Sequence, residues 1–237
     1  MFSVPNGKPG VLQTYLAVPR ELFSANKQFA QFVASPATID GTLSSNPLNA
    51  PYTWMLYAGT AMGRVTATGK YANSILGTTT ATYAHAGGTP TVLTTDVNTA
   101  AEIVRRLGTS GTLKLTAPPA AGGTVATQVA TYSAVNLTTG AITITALSAD
   151  AITGAFIQPV DGSETIVTLL CDTWGKKVSD QLNSTRVDVF ESQLLAAGGT
   201  INTAVIVNYP TDTSLKAWVK AAIKAACPGT NFSDDFA

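Results

Sequence analysis

Period-two alternation dominates the middle of the chain. Leu113 and Leu115 point one way while Thr112, Lys114 and Thr116 point the other, Val125 to Val135 alternates β-branched with small residues, and Ile142 and Ile144 alternate with Thr143 and Thr145. Pro118 to Gly123 and Asn136 to Gly140 supply turns between these runs, so the pattern predicts a compact three-stranded meander. Immediately before it the period changes to that of a helix over Thr99 to Leu107, with Ile103, Val104 and Leu107 on one face and Gly108 at the stop. Asn98 is the expected cap, Glu102 is expected to pair forward with Arg106, and the Arg105-Arg106 pair reads as a solvated face.

The flanks are less regular. Prolines and glycines interrupt residues 1–50, which read as an extended N-terminal arm. One helix is expected between Pro19 and Pro36, where Leu22, Ala25, Phe29, Phe32 and Val33 share a face. Trp54 to Ala58 and Met62 to Thr68 read as strands, with Gly59, Gly63 and Gly69 as turn glycines. Residues 77–90 read as loop or weak strand. Asp161-Gly162-Ser163 is a turn signature running into Thr165 to Cys171, an apolar stretch short enough for a buried central strand. Ser184 to Phe190 is a further strand, Glu191 to Ala197 one or two helical turns stopped at Gly198-Gly199, and Thr203 to Asn208 a short strand. Past Pro210, Thr211 or Asp212 caps the clearest helix, in which Leu215, Trp218, Val219, Ala222, Ile223 and Ala226 form one apolar stripe. Lys216, Lys220 and Lys224 run down its other side as a solvated row, Pro228-Gly229 ends it, and Asp234-Asp235 is expected to form a mobile tail. The fold class is therefore mainly β with a few helices (α+β).

Composition narrows the function. Of 237 residues only 12% are charged, 14 basic against 14 acidic, so no net field favours nucleic acid or an anionic membrane. No apolar run approaches the ~20 residues of a membrane span, and Met1 is followed by polar sequence without the plan of a secretory signal. A neutral, Thr-, Ala-, Gly- and Val-rich surface suits a protein packed against other protein. Cys171 and Cys227 form no metal or redox spacing, and they read as two reduced, buried thiols unless the fold brings their Cα atoms within about 7 Å.

Candidate chemistry is sparse. Gly59, Gly63 and Gly69 do not have phosphate-loop spacing and no helix follows them. His85 has no nearby partner in sequence to complete a ligand set or triad. Asp161, Glu164 and Asp172 form the one acidic cluster, and a hydrolase would need two such carboxylates facing one cleft. A turn aspartate and solvated strand ends explain them without catalysis, and they lack the ligand spacing of a calcium loop. We assign no catalytic, cofactor-binding or metal-ligating residue, and the expectation is a protein that is not an enzyme.

Two segments carry a resemblance. Gly59, Gly63, Val65, Thr66, Thr68, Gly69, Lys70 and Tyr71 form one, and Asp161, Gly162, Ser163, Thr165, Val167, Leu169, Leu170 and Asp172 form the other. In this pairing the chain resembles the lambda-like bacteriophage head decoration (capsid cement) proteins, although that family keeps the two segments close in sequence. The departure implies an inserted β-rich module at residues 77–154, a decoration-protein core at 51–76 and 155–237, and an arm at 1–50. The resemblance implies a structural virion protein, a homotrimer on the outer surface of the capsid, whose partners are the major capsid protein and itself. Two alternatives stay open: a phage tail or fibre structural protein, and a carbohydrate-binding adhesive module that meets a host-surface glycan through the insertion and through aromatics such as Trp54 and Trp174.

Overall fold

A computed structural model of the chain describes residues 22–33, 37–44, 56–85, 91–118, 123–171 and 189–235. Their regular secondary structure is mainly strand, with two α-helices among the described residues. In chain order the elements begin with β1 (Phe23–Ala25), β2 (Gln31–Phe32), β3 (Ala37–Asp40), β4 (Ala61–Arg64), β5 (Tyr71–Asn73) and β6 (Gly77–Thr78). Next come β7 (Val92–Thr94), α1 (Val97–Leu107), β8 (Gly111–Ala117), β9 (Ala126–Val135), β10 (Ala141–Ile144) and β11 (Phe156–Gln158). The last are β12 (Thr168–Leu169), β13 (Val189–Ser192), β14 (Leu195–Ala197), β15 (Thr200–Ile201), α2 (Thr213–Ala226) and β16 (Asn231–Phe232).

The meander forms as its alternation predicts. β8 and β9 pair from Gly111 opposite Tyr132 to Ala117 opposite Ala126, and β10 returns along β9 with Ile142 opposite Val135. Leu113, Leu115, Ala130, Tyr132, Ile142 and Ile144 fall on the inner face and are buried there with Ile103 of α1. The full sheet has the order β6-β11-β8-β9-β10-β7. Its outer strands then meet: Thr79 bridges Thr95, and the Thr80 amide donates to the Thr94 carbonyl at 2.9 Å. The six-stranded sheet thereby closes on itself and leaves no free edge at that seam.

A second sheet, β12-β4-β5-β3-β13, closes in the same way. Leu170, just past β12, bridges Leu194, just past β13, and the Cys171 amide donates to the Gln193 carbonyl at 2.9 Å. Ala37, Ile39, Leu56, Met62, Leu170 and Leu194 form its core. Two smaller sheets, β1-β15-β16 and β14-β2, lie with α2 around a third cluster that includes Leu215, Val219, Ile223, Phe232 and both cysteines. Strand β11 is the junction between regions. Phe156 belongs to the α2 cluster, with its ring 5.9 Å from that of Trp218, while its neighbour Ile157 belongs to the six-stranded core.

Several expectations are corrected. The helix between Pro19 and Pro36 is instead β1, a single 3-10 turn at Lys27–Phe29, and β2. Asn26 sits in the left-handed region at φ 56, and pairing of β1 with β15 and β2 with β14 satisfies the backbone in place of helical bonds. Phe29, expected on the buried face, is 66% exposed. Glu191 to Ala197 forms strand rather than helix, since Glu191 pairs with Thr38 and Leu195 with Phe32. Thr203 to Asn208 is not a strand. Asn202 caps a 3-10 turn there by accepting from the Ala204 amide, and Asn208 turns the chain at φ 59. The strand Met62 to Thr68 stops at Arg64, where residues 66–68 turn back toward β5. Trp54, Trp174, Asp172 and most of the expected strand Ser184 to Phe190 lie outside the described residues.

Candidate functional site

The acidic stretch Asp161 to Glu164 was the one place in the sequence that resembled chemistry, and its side chains are committed to building a turn. Asp161 Oδ1 accepts from the Ser163 amide at 3.0 Å and the Ser163 hydroxyl at 2.6 Å, and Glu164 Oε2 accepts from the Gly162 amide at 2.7 Å. Gln158, fully buried, donates to the Glu164 carbonyl at 2.8 Å and accepts from Thr116 at 2.6 Å. Gly162 sits at φ +99, and a Cβ there would stand 2.1 Å from Thr66 Oγ1, so a side chain would be both strained and obstructed. With their oxygens already accepting these hydrogen bonds, Asp161 and Glu164 form a structural turn.

That turn lies on the hairpin that carries the other matched segment. The Thr66 amide donates to the Asp161 carbonyl at 2.8 Å, and the Val167 amide to the Met62 carbonyl at 2.9 Å. β12 then pairs with β4 through Thr168 opposite Met62. Gly59 and Gly69 turn the chain as expected, at φ 88 and 69, but Gly63 does not. It lies within β4, where a Cβ would stand 1.9 Å from the Ser163 carbonyl oxygen, so glycine is needed for close approach of two backbones. Ile166 and residues 168–171 are buried as expected, while Thr165 is exposed and Val167 half-buried; only Thr168–Leu169 is regular strand, and it stands at one end of its sheet's order, not at the centre.

Arg106 of α1 binds this turn, which corrects its reading as a solvated face. Its side chain is 0% exposed. Nη2 donates to Asp161 Oδ2 at 3.0 Å and Ser163 Oγ at 2.6 Å, while Nη1 donates to the Asn73 carbonyl at 2.9 Å, to Asn73 Oδ1 at 3.1 Å and to the Leu43 carbonyl at 3.2 Å. Arg105, not Arg106, takes Glu102 as its partner, and it also donates to the Thr42 and Leu43 carbonyls. Burial lowers the Arg106 pKa, with Asp161 opposing that shift. For Asp161 burial acts upward, yet the hydrogen bonds from Ser163 and the charge of Arg106 bring it below the usual carboxylate range. The sequence held one signal of this. On α1, Thr99, Glu102 and Ile103 are buried, and Arg106 continues that stripe at the same three- and four-residue steps. The helix is capped by Asp96, whose carboxylate accepts from the Asn98 and Thr99 amides, both at 2.9 Å, and not by the expected Asn98.

Two of the three lysines in the row on α2, Lys220 and Lys224, are also partnered. Lys220 contacts Asp234 and Asp235, each at 2.7 Å, and Lys224 contacts Asp235 at 3.2 Å. Both ammonium groups stand 5.5 Å from the centre of the Phe232 ring, and the Tyr209 hydroxyl donates to Asp234 at 3.0 Å. Residues 233–235 therefore form a 3-10 turn pinned to α2, where a mobile tail was expected. Burial, then the bond to Asp234, pushes the Tyr209 pKa up to about 12. Asp212 caps α2 by accepting from the Leu215 amide at 2.9 Å.

His85 is half-buried, and its backbone amide donates to Asp150 at 2.5 Å. Cys171 and Cys227 are both buried, and burial pushes the Cys227 thiol up to about 11. Among the described residues no group of three or more His, Cys, Asp and Glu side chains is placed to hold a metal ion, and no helix is long and apolar enough to cross a membrane. The outward face of the six-stranded sheet carries Val129 (63% exposed) and Thr131 on β9, Lys114 opposite Val129 on β8, and Val92 on β7. Comparison with protein-family models, with curated proteins and with solved structures finds no match to this chain.

Proposed function

We propose that this chain is a structural decoration protein of a bacteriophage head, binding the outer surface of the major capsid protein lattice and reinforcing the shell as a homotrimer. The observation that carries the reading is the meeting of the two resembling segments. They are far apart in sequence, yet β4 lies beside β12, the Asp161 turn bonds to Thr66, and Gly63 and Gly162 each make room for the other segment. Residues that resemble one family motif thus form one spatial unit, with a β-rich body between them in sequence. In this role the protein is non-enzymatic and its work is adhesion. Modest contacts repeated over a trimer and a lattice give an avidity that single contacts lack, and a surface poor in charge suits packing against protein.

The test is the copy number of this chain relative to the major capsid protein in purified particles, together with binding of the purified chain to expanded capsids. A large, symmetry-matched copy number and saturable binding to the shell are expected. A handful of copies per particle would move the protein to a tail or vertex, and no binding to expanded capsids with no copies on the shell would overturn the reading.

A further inference from the structure

Among the described residues, residues 76–158 meet the rest of the chain at an apolar joint and a polar one. One is apolar: Phe156, Val125 and Ile152 pack into the α2 cluster beside Trp218. The other is polar: Arg105 and Arg106, at the end of α1, reach the carbonyls of Thr42, Leu43 and Asn73 and the Asp161 turn. The chain enters this region through β6 and leaves through β11, which are paired side by side with Thr78 opposite Phe156. Two adjacent covalent connections and one apolar patch form a hinge, because apolar contact is not directional. The guanidinium of Arg106 is directional, and it contacts three segments of the neighbouring region at once.

We propose that Arg106 is a latch: it fixes the orientation of the closed six-stranded body against the five-stranded one, and without it the first body stays folded but swings about β6 and β11. Arg106 is suited to this role because its bonds go outside the six-stranded core, to Leu43, Asn73, Asp161 and Ser163. The inner face of the barrel is filled independently by Leu113, Leu115, Tyr132, Ile142 and Ile144. The inference concerns the two bodies and does not depend on the proposed capsid role.

The test uses the full chain carrying Arg106→Met, which keeps the aliphatic stem and removes the donors. Spin labels at Val129→Cys on the barrel and Ala217→Cys on α2, both exposed positions, report orientation, and the two native thiols are buried. A single narrow distance is expected with arginine, and a broadened or shifted distribution with methionine. Hydrogen exchange should quicken by about tenfold or more at residues 162–165 and 66, while residues 113–116 and 129–132 keep their protection. Should the methionine variant fail to fold, Asp161→Asn, on the 29%-exposed side of the pair, supplies the same readouts. An unchanged distance distribution would overturn the latch, since the apolar joint with the bonds of Arg105 and Gln158 would then set orientation without Arg106. So would equal loss of protection in barrel and core, which would make Arg106 a core residue of one cooperative unit.

Discussion

Two closed sheets in this protein solve the same problem from opposite materials. The six-stranded one is drawn from a contiguous stretch, and its central strands β8, β9 and β10 follow one another directly in the chain. The five-stranded one is assembled from β3, β4, β5, β12 and β13, so Thr168 meets Met62 and Val189 meets Asp40 from distant parts of the chain. Both then remove their edges with a single bridge, Thr79 to Thr95 in one and Leu170 to Leu194 in the other. Local pairing needs little loop closure, whereas long-range pairing gives up chain entropy before any contact forms. The five-stranded sheet therefore depends more heavily on a few close approaches, and the six-stranded one on the volume of its interior.

The largest expected effect tests that dependence. Gly63→Val drives a side chain into the Ser163 carbonyl, a backbone atom that cannot step aside. It should cost more than about 3 kcal/mol, read as a lowered urea midpoint with the five-stranded region unfolding first; a stability within error of the wild type would show that the two segments do not need this contact. Leu113→Ala empties a fully buried position in the six-stranded core and should cost about 3 kcal/mol. If exchange protection in β4 and β5 falls along with that of β8 and β9, the contrast between the two regions fails.

Helix caps sharpen the comparison further. Asp96→Ala removes a carboxylate that accepts from two amides and the Thr99 hydroxyl, while Asp212→Ala removes one amide partner. Each should cost about 1 kcal/mol, with Asp96 the larger, measured by thermal unfolding.

Titration separates the joint from the core. The Asp161 pKa is lower folded than its unfolded value near 4. Its contribution is complete above that value and is lost as pH falls through the folded pKa. The Tyr209 pKa is raised to about 12, so its neutral form contributes fully below about 10 and that contribution is lost as pH rises toward 12. In stability measured against pH, Asp161→Asn should make the acid limb shallower and leave the alkaline limb unchanged, while Tyr209→Phe should make the alkaline limb shallower. The smallest effect belongs to Lys224→Ala, on a half-exposed ion pair. It should cost less than about 1 kcal/mol and diminish further in high salt.

Much of the fold was legible because it is written in local periods. The meander, helix α1 and helix α2 follow from alternation or three- and four-residue spacing, and the cap expected at Thr211 or Asp212 falls on Asp212. Where elements are two or three residues long, the period has no room to show. β1, β2 and β14 exist because partner strands accept their backbone groups, so Leu22 to Val33 imitated a helix and Glu191 to Ala197 imitated helical turns. The acidic turn was legible as a turn, but its partner Arg106 was not, since the charge of an arginine predicts solvent unless a half-buried carboxylate and several carbonyls wait for it. The Asp234-Asp235 tail was misjudged for the same reason, because its partners stand on α2, one turn apart on the helix.

By itself, then, the sequence determined a β-rich protein with a central meander, two helices in the right places, a turn at Asp161-Gly162-Ser163 and a surface poor in charge. These properties are local, and each follows from the steric preferences and hydrophobicity of neighbouring residues. Only the tertiary structure decided that two sheets close, that β11 feeds two cores at once, that Gly63 is a point of backbone contact, and that Arg106 lies buried at the joint between two bodies. Each of these depends on groups far away in the chain, and the free energy of burying a charge or ending a sheet is set by what stands opposite it.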